Sequence, residues 1–457
     1  MAKYKAYPEY KDSGVEWLGN VPIHWRTISI SRLFSRNKRT GYTGKELLSV
    51  YRDYGVIPKS SRDDNNNKPS EDLSPYQLVE PNDLVMNKMK AWQGSIAISE
   101  YEGIVSPAYF VYQPNKVLFE LAHLRYVHYL LRNPIYVTQY LSRSKGIRVS
   151  QWDLDPDEFR NIELLLPDKS EQESIYSFLD HETAKIDNLI EKQQQLIELL
   201  KEKRQTVISY AVTKGLNPDV PMKDSGVEWL GEVPEHWDVC RIKQLSKQIS
   251  KGTTPSTIGG DFVDDGIRFL KAENIGKSKE VNLYPQFYIT SAVDKQISRS
   301  RLQDKDILVI IAGATTGMAS VLQKELLPAN TNQAVSFIRP KNINHADWIY
   351  YWLGAEFTQR IIGMGAVQAA QPNLSMEDLG GIPVLLPPKN EIYSICLEIE
   401  KLSIKFELLI SKAESAIELM QERRTALISA AVTGKIDVRD WVAPDTRDIE
   451  ESLEVNA

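Results

Sequence analysis

Two long stretches of the chain have the hydrophobic pattern of an amphipathic helix. From about Lys169 to Thr213 the sequence has neither Pro nor Gly, and apolar residues recur at heptad spacing. A second stretch, from about Asn390 to Thr433, repeats this pattern 220 residues later. Helices of roughly 45 residues would be about 65 Å long, and neither could bury its apolar stripe alone. The pattern predicts two helices paired as an antiparallel coiled coil; the alternative is that each helix packs only on its own domain. The predicted seam is Leu179, Ile186, Leu189, Leu196, Leu200 and Val207 on the first helix, and Ile399, Phe406, Leu409, Ala416, Met420 and Leu427 on the second.

The segments before each predicted helix have the pattern of mixed α/β domains. Short β-rich runs such as 83–86, 95–98 and 109–112 alternate with turn residues, and 306–311 and 334–338 do the same in the second half. A helical run follows in each half, near 118–144 and 346–362. We therefore expect an α+β protein in which two mixed α/β domains alternate with two long helices. The predicted boundaries are 1–165, 166–215, 216–385 and 386–435, followed by an acidic tail at 436–457 that we expect to be extended or disordered.

The chain is an internal duplication. Residues 11–25 and 223–237 agree at 13 of 15 positions, both reading Lys-Asp-Ser-Gly-Val-Glu-Trp-Leu-Gly and ending in His-Trp. The second copy follows the first long helix, whereas the first copy opens the chain. The halves are therefore related by a circular shift, and we expect residues 11–25 to pack near the C-terminal end of the second helix. Between Trp25 and Gln151 the halves lose their resemblance, so each half is a common frame around a divergent insert.

Composition leaves nucleic-acid binding open, although the net charge of the chain is −6. Residues 1–165 contain 22 Lys and Arg against 19 Asp and Glu, whereas residues 386–457 contain 9 against 14, so the acidity lies mostly at the C-terminus. Two distant cysteines, Cys240 and Cys396, give no disulfide framework or zinc spacing and suit a reducing cytoplasm. No apolar stretch has the length and continuity of a membrane span, so we expect a cytoplasmic protein without membrane contact.

The repeated element and its setting resemble the specificity subunit of type I restriction-modification systems. The resemblance rests on the Lys-Asp-Ser-Gly-Val-Glu-Trp-Leu-Gly-x-Val-Pro-x-His-Trp pattern, on Leu166-Pro167 with Glu171-Gln172, and on the Ala-Val-Thr helix ends. The segments 103–109 and 252–256 also look like target-recognition-domain sequence. One departure is Asn390-Glu391-Ile392, where the family usually has Glu-Gln. The likeness extends to about residue 440.

This resemblance implies a DNA-specificity subunit that is not itself an enzyme. Each insert would be a target recognition domain reading one half of a bipartite, asymmetric site in double-stranded DNA. The coiled coil would set the spacer between the half-sites and dock two methyltransferase subunits, with motor-nuclease subunits joining the full complex. S-adenosylmethionine, Mg and ATP would then belong to the partner subunits and none to this chain.

Candidate DNA contacts are polar or basic residues predicted on loops of the inserts, because such loops reach base edges while the frame holds register. Gln371 aligns with Gln151 in the other half, which argues for a structural role. Arg36, Lys38 and Arg39 fit a solvated face as well as a phosphate clamp. The DNA-binding candidates are Lys88, Lys90, Trp92, Arg143, Lys145 and Arg148 in the first domain, and Lys271, Asn274, Thr315, Thr316, Asn332, Gln333 and Gln368 in the second.

The sequence contains no convincing catalytic or metal-binding constellation. Asn133-Pro134-Ile135-Tyr136 resembles the Asn-Pro-Pro-Tyr of adenine methyltransferases but lacks the second proline and lies in a helical run. Gly363-Met364-Gly365 follows a predicted helix rather than a strand, which favours a turn over a cofactor loop. His24 and His236 are expected to pack or cap. A self-contained methyltransferase or nuclease, and a coiled-coil regulator without enzyme partners, are the alternative functions.

Overall fold

The chain folds into two compact units that share the two long helices. The computed structural model describes residues 4–52, 54–62, 68–148, 151–366 and 373–443. The first unit comprises Met1–Gln193 with Ser415–Ala457, and the second comprises Gln194–Glu414. Each unit therefore holds one end of each long helix.

The first unit consists of short strands and helices followed by the first long helix. Its strands are β1 (Tyr10–Asp12), β2 (Asn20–Pro22), β3 (Arg26–Ser29), β4 (Phe34–Arg36), β5 (Leu48–Tyr51), β6 (Gly55–Pro58), β7 (Gln77–Val79), β8 (Leu84–Asn87), β9 (Ile96–Ile98), β10 (Gly103–Val105), β11 (Tyr109–Pro114), β12 (Ser144–Arg148), β13 (Gln151–Leu154) and β14 (Glu163–Leu166). Its helices are α1 (Ile30–Leu33), α2 (Lys116–Leu121), α3 (Leu124–Leu131), α4 (Pro134–Ser142), α5 (Pro156–Arg160) and the start of α6 (Lys169–Lys214).

The second unit repeats this order. Its strands are β15 (Met222–Asp224), β16 (Glu232–Pro234), β17 (Asp238–Arg241), β18 (Ser246–Lys251), β19 (Phe262–Val263), β20 (Ile267–Leu270), β21 (Tyr288–Ile289), β22 (Ile307–Ile310), β23 (Ala319–Val321), β24 (Ala329–Thr331), β25 (Val335–Pro340) and β26 (Pro383–Leu386). Its helices are α7 (Ile242–Leu245), α8 (Ser291–Gln296), α9 (Ala346–Gly354), α10 (Glu356–Ala366), α11 (Met376–Gly381) and the start of α12 (Lys389–Val432).

The divergent inserts are built on sheets of the same order. The first unit contains an antiparallel sheet β4-β11-β8-β9, and the second contains β18-β25-β22-β23. In both units, a separate two-stranded sheet joins the strand that follows the His-Trp pair to the strand that precedes the long helix. These pairs are β3 with β14 and β17 with β26. The duplication therefore extends through the inserts as topology, although their sequences have diverged.

The two long helices pair in antiparallel orientation in each unit, as the hydrophobic pattern predicted. In the first unit Asp187 forms an ion pair with Arg424 at 2.9 Å, and Ile186 and Leu427 share one core. In the second unit Arg204 pairs with Glu407 at 3.0 Å. From the first ion pair to the second, α6 advances by 17 residues and α12 goes back by 17, so the register is the same in both.

The predicted heptad frame is wrong at three positions. The side chains of Leu189, Leu196 and Leu409 are 51%, 43% and 39% exposed. Ile197 is buried at the seam instead, and Ile190 packs against the core beside Ile186. The buried or half-buried ridge of α6 also contains polar residues, Thr183, Gln193 and Arg204. Because the heptad positions were assigned from aliphatic residues alone, neighbouring exposed leucines were placed at the seam in their stead. Leu179, Ile186, Ile399 and Leu427 are buried as predicted, and Leu200, Val207, Phe406, Ala416 and Met420 are half-buried.

The expected closure of the chain is confirmed within the first unit. A Cβ atom added to Gly434, just past the end of α12, would clash with Cδ of Pro22 and lie 3.4 Å from the Trp25 ring. Tyr10 also donates a hydrogen bond from its hydroxyl to the carbonyl of Gly434, at 3.0 Å. In the second unit, a Cβ atom added to Gly215, just past α6, would lie 3.2 Å from the Trp237 ring. Residues 11–25 thus occupy the place at the end of α12 that 223–237 occupy at the end of α6.

The prediction of an extended tail from Ile436 is wrong for the first residues of that segment. Ile436 and Val438 are buried in the first core, and the Trp441 ring lies 5.5 Å from that of Phe178. The backbone N–H of Asp437 donates to the carbonyl of Lys5. Apolar residues spaced between the acidic ones give this segment a buried face, which a count of charges overlooks. Residues 444–457 lie outside the described residues.

Candidate nucleic-acid interface

The repeated His-Trp pair is held by a glutamate in the first turn of each long helix. In the first unit Glu171 accepts hydrogen bonds from the hydroxyl of Tyr7 at 2.7 Å and from Nε1 of Trp25 at 3.0 Å, and its other oxygen lies 2.7 Å from Nε2 of His24. In this buried setting, both desolvation and Glu171 raise the pKa of Tyr7 well above its usual value, so its hydroxyl remains a donor.

The second unit repeats this anchor with Glu391. Trp237 Nε1 donates to Glu391 at 2.9 Å, and His236 Nε2 lies 2.8 Å from its other oxygen. The Asn-Glu-Ile departure therefore retains the glutamate. Ile392, at the position of Gln172, is buried in the second core and replaces with apolar packing the hydrogen bonds that Gln172 makes in the first unit. The repeated element acts as scaffold: its histidines pack beside aromatic rings, as expected, and each also pairs with a glutamate.

We expect Glu171→Ala to destabilise the first unit by about 3 kcal/mol, because it leaves buried donors of Tyr7 and Trp25 without an acceptor. Glu391→Ala should cost only about 1 kcal/mol: the Glu391 side chain is 35% exposed against 5% for Glu171, so water can replace the lost carboxylate. Urea unfolding of the full chain, followed by tryptophan fluorescence, measures both. Glu173→Ala, an exposed position in the same helical turn, is the matched control, and equal losses for Glu171→Ala and Glu391→Ala would contradict this account.

In the first unit, one edge of the domain brings together most of the predicted DNA contacts. The chain leaves β8 at Asn87, turns through a short 3-10 helix at Ala91–Gln93, and returns as β9. The hairpin β12-β13 docks on this turn, since the N–H of Leu154 donates to the carbonyl of Lys88 at 3.2 Å and Lys88 Nζ lies 3.6 Å from Asp153. A loop and a hairpin that are far apart in sequence thus form one polar edge.

The individual side chains on this edge differ in how freely they could reach a ligand. Lys90 is exposed, and Lys145 is exposed with an ion pair to Asp155 at 3.2 Å. Trp92 is half-buried, and its ring N–H donates to the carbonyl of Met89. Arg143 donates to the backbone and side chain of Gln139, and Arg148 ends β12.

The equivalent edge in the second unit carries neutral polar groups. β22 ends at Ile310, and the following turn presents Thr315 to solvent, while Thr316 is half-buried and donates from its hydroxyl to the carbonyl of Gly313. Asn332 and Gln333 lie beside this turn, because the N–H of Ile311 donates to the carbonyl of Ala334. Gln333 is exposed, and Oδ1 of the half-buried Asn332 lacks a hydrogen-bond partner among the described residues. Gln368 and Gln371 lie outside the described residues.

The structure gives two of the predicted second-domain contacts intramolecular roles instead. Asn274 is buried, and its amide donates to the carbonyls of Asn282 at 3.1 Å and Pro285 at 2.8 Å. The ammonium of Lys271 lies 3.4 Å and 4.3 Å from the ring centroids of Phe287 and Phe262. A cation held against two aromatic faces is already satisfied within the domain. The sequence spacing of these partners, up to 16 residues away, gave no signal of this.

Two groups with the chemistry of nucleic-acid contacts were missed or undervalued from the sequence. The guanidinium of Arg36 lies 4.0 Å from the ring centroid of Phe110, whose other neighbour is Lys88 at 5.8 Å, so Arg36 belongs to the same basic edge. Tyr54 is exposed with Arg62 over its ring at 4.5 Å. Arg39, by contrast, forms ion pairs with Glu80 and Asp83 and is structural. Basic residues interleaved with aromatic ones were the available signal.

The Asn-Pro-Ile-Tyr sequence starts helix α4 after a break that follows α3, whereas it was expected within one helical run. Asn133 caps α4 by accepting a hydrogen bond from the N–H of Ile135 at 2.9 Å, and Pro134 takes the first helical position. Tyr136 is buried, with its hydroxyl donating to the carbonyl of Glu163. Within the described ranges no group of three or more His, Cys, Asp or Glu side chains could hold a metal ion. Across that same part of the chain, no helix has the length and apolar character needed to cross a bilayer.

Comparison with known proteins matches one segment in the second half of the chain to a family model and most of the chain to individual relatives. Residues 234–412 match the type I restriction modification DNA specificity domain. The chain is 24% identical over 434 residues to the type I restriction enzyme MjaVIII specificity subunit of Methanocaldococcus jannaschii, covering 92% of this chain and 95% of that protein. It is 26% identical over 289 residues to the EcoBI specificity subunit of Escherichia coli, a match that spans 61% of this chain and 59% of that protein.

Solved structures share the fold at low sequence identity. A chain from a type I restriction-modification system, described with its complex assembly and conformational transition, superposes with a TM-score of 0.68 at 15% identity, covering 91% of this chain and 99% of its own. The HsdS subunit of Thermoanaerobacter tengcongensis superposes with a TM-score of 0.50 at 16% identity, covering 91% and 98%.

The duplicated α+β domains, each anchored on a long helix, form a tandem arrangement built on a coiled coil. In sequence the chain is similar to type I restriction-modification specificity subunits, and solved chains of such systems share its fold.

Proposed function

We propose that this chain selects the DNA sequence on which a type I restriction-modification complex acts, each unit reading one half of a bipartite site. The observation that carries this proposal is the pair of topologically equivalent sheets whose exposed edges differ in chemistry. The first edge presents Lys90 and Lys145, and the second presents Thr315 and Gln333. Lysine pairs best with guanine and glutamine with adenine, so two such edges would read different bases and the site would be asymmetric.

The coiled coil would set the spacing between the half-sites. Both long helices are continuous from one unit into the other. Half-site separation is a geometric property of the scaffold that carries the reading elements. The length of the paired helices, rather than any base contact, would then fix the number of unspecified base pairs.

Exposed leucines on the long helices support docking of two equivalent partner subunits, which we assign as methyltransferases. Leu189 and Leu409 are exposed and occupy the same position in the two repeats, and the same is true of Leu199 and Leu419. Surface leucines that recur at pseudo-equivalent positions provide two similar apolar sites, as two copies of one partner require. Motor-nuclease subunits would join this core for restriction.

In this assignment the chain itself is non-catalytic. S-adenosylmethionine would be bound by the methyltransferase subunits, and Mg and ATP by the motor-nuclease subunits. The residues of this chain contribute binding and orientation: the edges hold each half-site in register, and the glutamate anchors fix each recognition domain to the start of a helix.

The decisive experiment combines the purified chain with its methyltransferase subunits and S-adenosylmethionine on DNA libraries in which sequence and spacer length are randomised. Mapping the methylated adenines should give two different half-sites separated by one fixed spacer. The chain alone should methylate nothing. Methyl transfer by the chain without added subunits would contradict the proposal, as would a single continuous site.

A further inference from the structure

A second apolar surface on α12 has no counterpart on α6. Tyr393, Leu397, Ile404 and Leu408 are 71%, 54%, 62% and 55% exposed in the second unit. At 100° per residue they fall within about 60° of one another on the helix, so they form one stripe. We call these four residues the α12 stripe.

The α12 stripe is not required by the duplicated scaffold. The residues 220 positions earlier on α6 are Glu173, Ser177, Ala184 and Asn188, three polar residues and one small one. Two identical partners bound at equivalent places would therefore not both find this surface. Contiguous exposed apolar residues on an otherwise polar helix mark an interaction site. Its occupant should recognise this helix alone.

The order of residues along the stripe is symmetric about the Glu400–Lys401 bond. Leu397 and Ile404 lie three residues outside the central Glu400 and Lys401, and Tyr393 and Leu408 lie four residues farther out. An antiparallel copy of the same helix would thus place Tyr393 against Leu408 and Leu397 against Ile404. At the centre, Glu400 of each copy would meet Lys401 of the other.

The central charged side chains, Glu400 and Lys401, are both exposed. Lys401 is 76% exposed and forms an ion pair at 3.6 Å with Glu398 of its own helix. Glu400 is 47% exposed at a distance of 3.3 Å from Lys279, which also contacts Asp347. A two-fold interface is self-complementary: if residue i of one copy contacts residue j of the other, then residue j of the first copy also contacts residue i of the second. Apolar pairs flanking reciprocal Glu–Lys pairs satisfy that condition.

We propose that the α12 stripe is an isologous interface through which a second copy of this chain binds by antiparallel pairing of α12. Leu408 of the stripe directly precedes Leu409, one of the leucines assigned to the methyltransferase subunits, whereas Leu397 and Ile404 lie closer to the start of α12. Because the apolar strip is short, the dimer should be weak, with a Kd in the micromolar range, about what small transient interfaces provide.

The test is sedimentation equilibrium of the full-length chain between about 1 and 100 µM. We expect a reversible monomer–dimer equilibrium that Leu397→Glu with Ile404→Glu weakens at least tenfold. The matched control, Ser177→Glu with Ala184→Glu at the equivalent positions of α6, should leave the equilibrium unchanged. Unaltered circular dichroism and DNA binding would show that both variants fold.

Charge reversal tests the register independently of the apolar contacts. Lys401→Glu alone should weaken the dimer by placing like charges together, and Glu400→Lys with Lys401→Glu should restore it. A chain that stays monomeric to 100 µM overturns the proposal. A dimer whose Kd the stripe variants do not change also overturns it. A monomeric wild-type chain, together with a stripe variant that loses methyltransferase binding, would assign the stripe to that partner instead. None of these results would alter the mapped half-sites, so failure here is distinct from failure of the proposed function.

Discussion

Insertion of one heptad into α6 alone, after Gln193, is expected to abolish recognition of the bipartite site. Seven residues lengthen the helix by about 10 Å, and α12 has no residues to pair with the added turns. The common register of the Asp187–Arg424 and Arg204–Glu407 pairs cannot then be kept in both units. The assay is methylation of a library of spacer lengths by the assembled complex, which should give no methylated bipartite site.

A matched insertion in both helices, after Gln193 and after Ile417, should restore activity with a longer spacer. These points are level in the observed register, so the seam continues through the insert. An added length of about 10 Å corresponds to roughly three base pairs at 3.4 Å each. Each added base pair also rotates the second half-site by about 35° around the DNA axis. Because this rotation turns the half-site away from its recognition domain, we expect the spacer to grow by about one to three base pairs, with the smaller increases favoured. An unchanged spacer would show that the coiled coil does not set it.

Replacement of Lys88 and Lys90 by alanine is expected to weaken binding of the bipartite DNA by 10- to 100-fold. Each lysine that contacts a base or phosphate contributes about 1 kcal/mol or more, and loss of phosphate contacts also lowers the salt dependence of binding. The change should be confined to the first half-site, where base preference should relax. Lys88 also pairs with Asp153, so its replacement could change the stability of the domain as well as DNA binding. The single variant Lys90→Ala therefore tests the DNA contact without removing that ion pair.

The reciprocal variant, Gln333→Ala, should relax base preference in the second half-site only. Lys201→Ala, an exposed lysine of α6 that pairs with Glu198, is the control for loss of positive charge as such. Binding titrations on DNA libraries randomised in one half-site at a time make the comparison. If Lys88 and Lys90 variants altered preference in both half-sites equally, the assignment of one half-site to each unit would be wrong.

Hydrophobic periodicity located the long helices almost to the residue but misplaced part of their seam. The helices were predicted over about 169–213 and 390–433 and are found over Lys169–Lys214 and Lys389–Val432. The ends of a helix can be predicted from nearby residues, because Pro and Gly are absent within the helix and occur just outside it. The seam depends on which face meets the other helix, and polar Thr183 and Arg204 on that face are not visible to an aliphatic count. Leu189 and Leu409 are therefore exposed.

The candidate interface was predictable as a chemistry of loops but not as a set of contacts. The residues Lys88 and Lys145 are 57 positions apart, and only the docking of the β12-β13 hairpin on the turn after β8 brings their loops to one edge. Asn274 looked like a base reader because asparagine suits adenine. Its two backbone carbonyl acceptors exist only once the loop around Pro285 has folded over it.

By itself the sequence determined the duplication, the circular relation of its halves and the extent of both helices, since repeats and periodicity are properties of neighbouring residues along one chain. Tertiary structure alone decided the seam, the common sheet order of the divergent inserts and the fate of each polar side chain. Those outcomes depend on the partners that distant segments supply: a carboxylate such as Glu171 is an anchor only where Tyr7 and Trp25 converge on it.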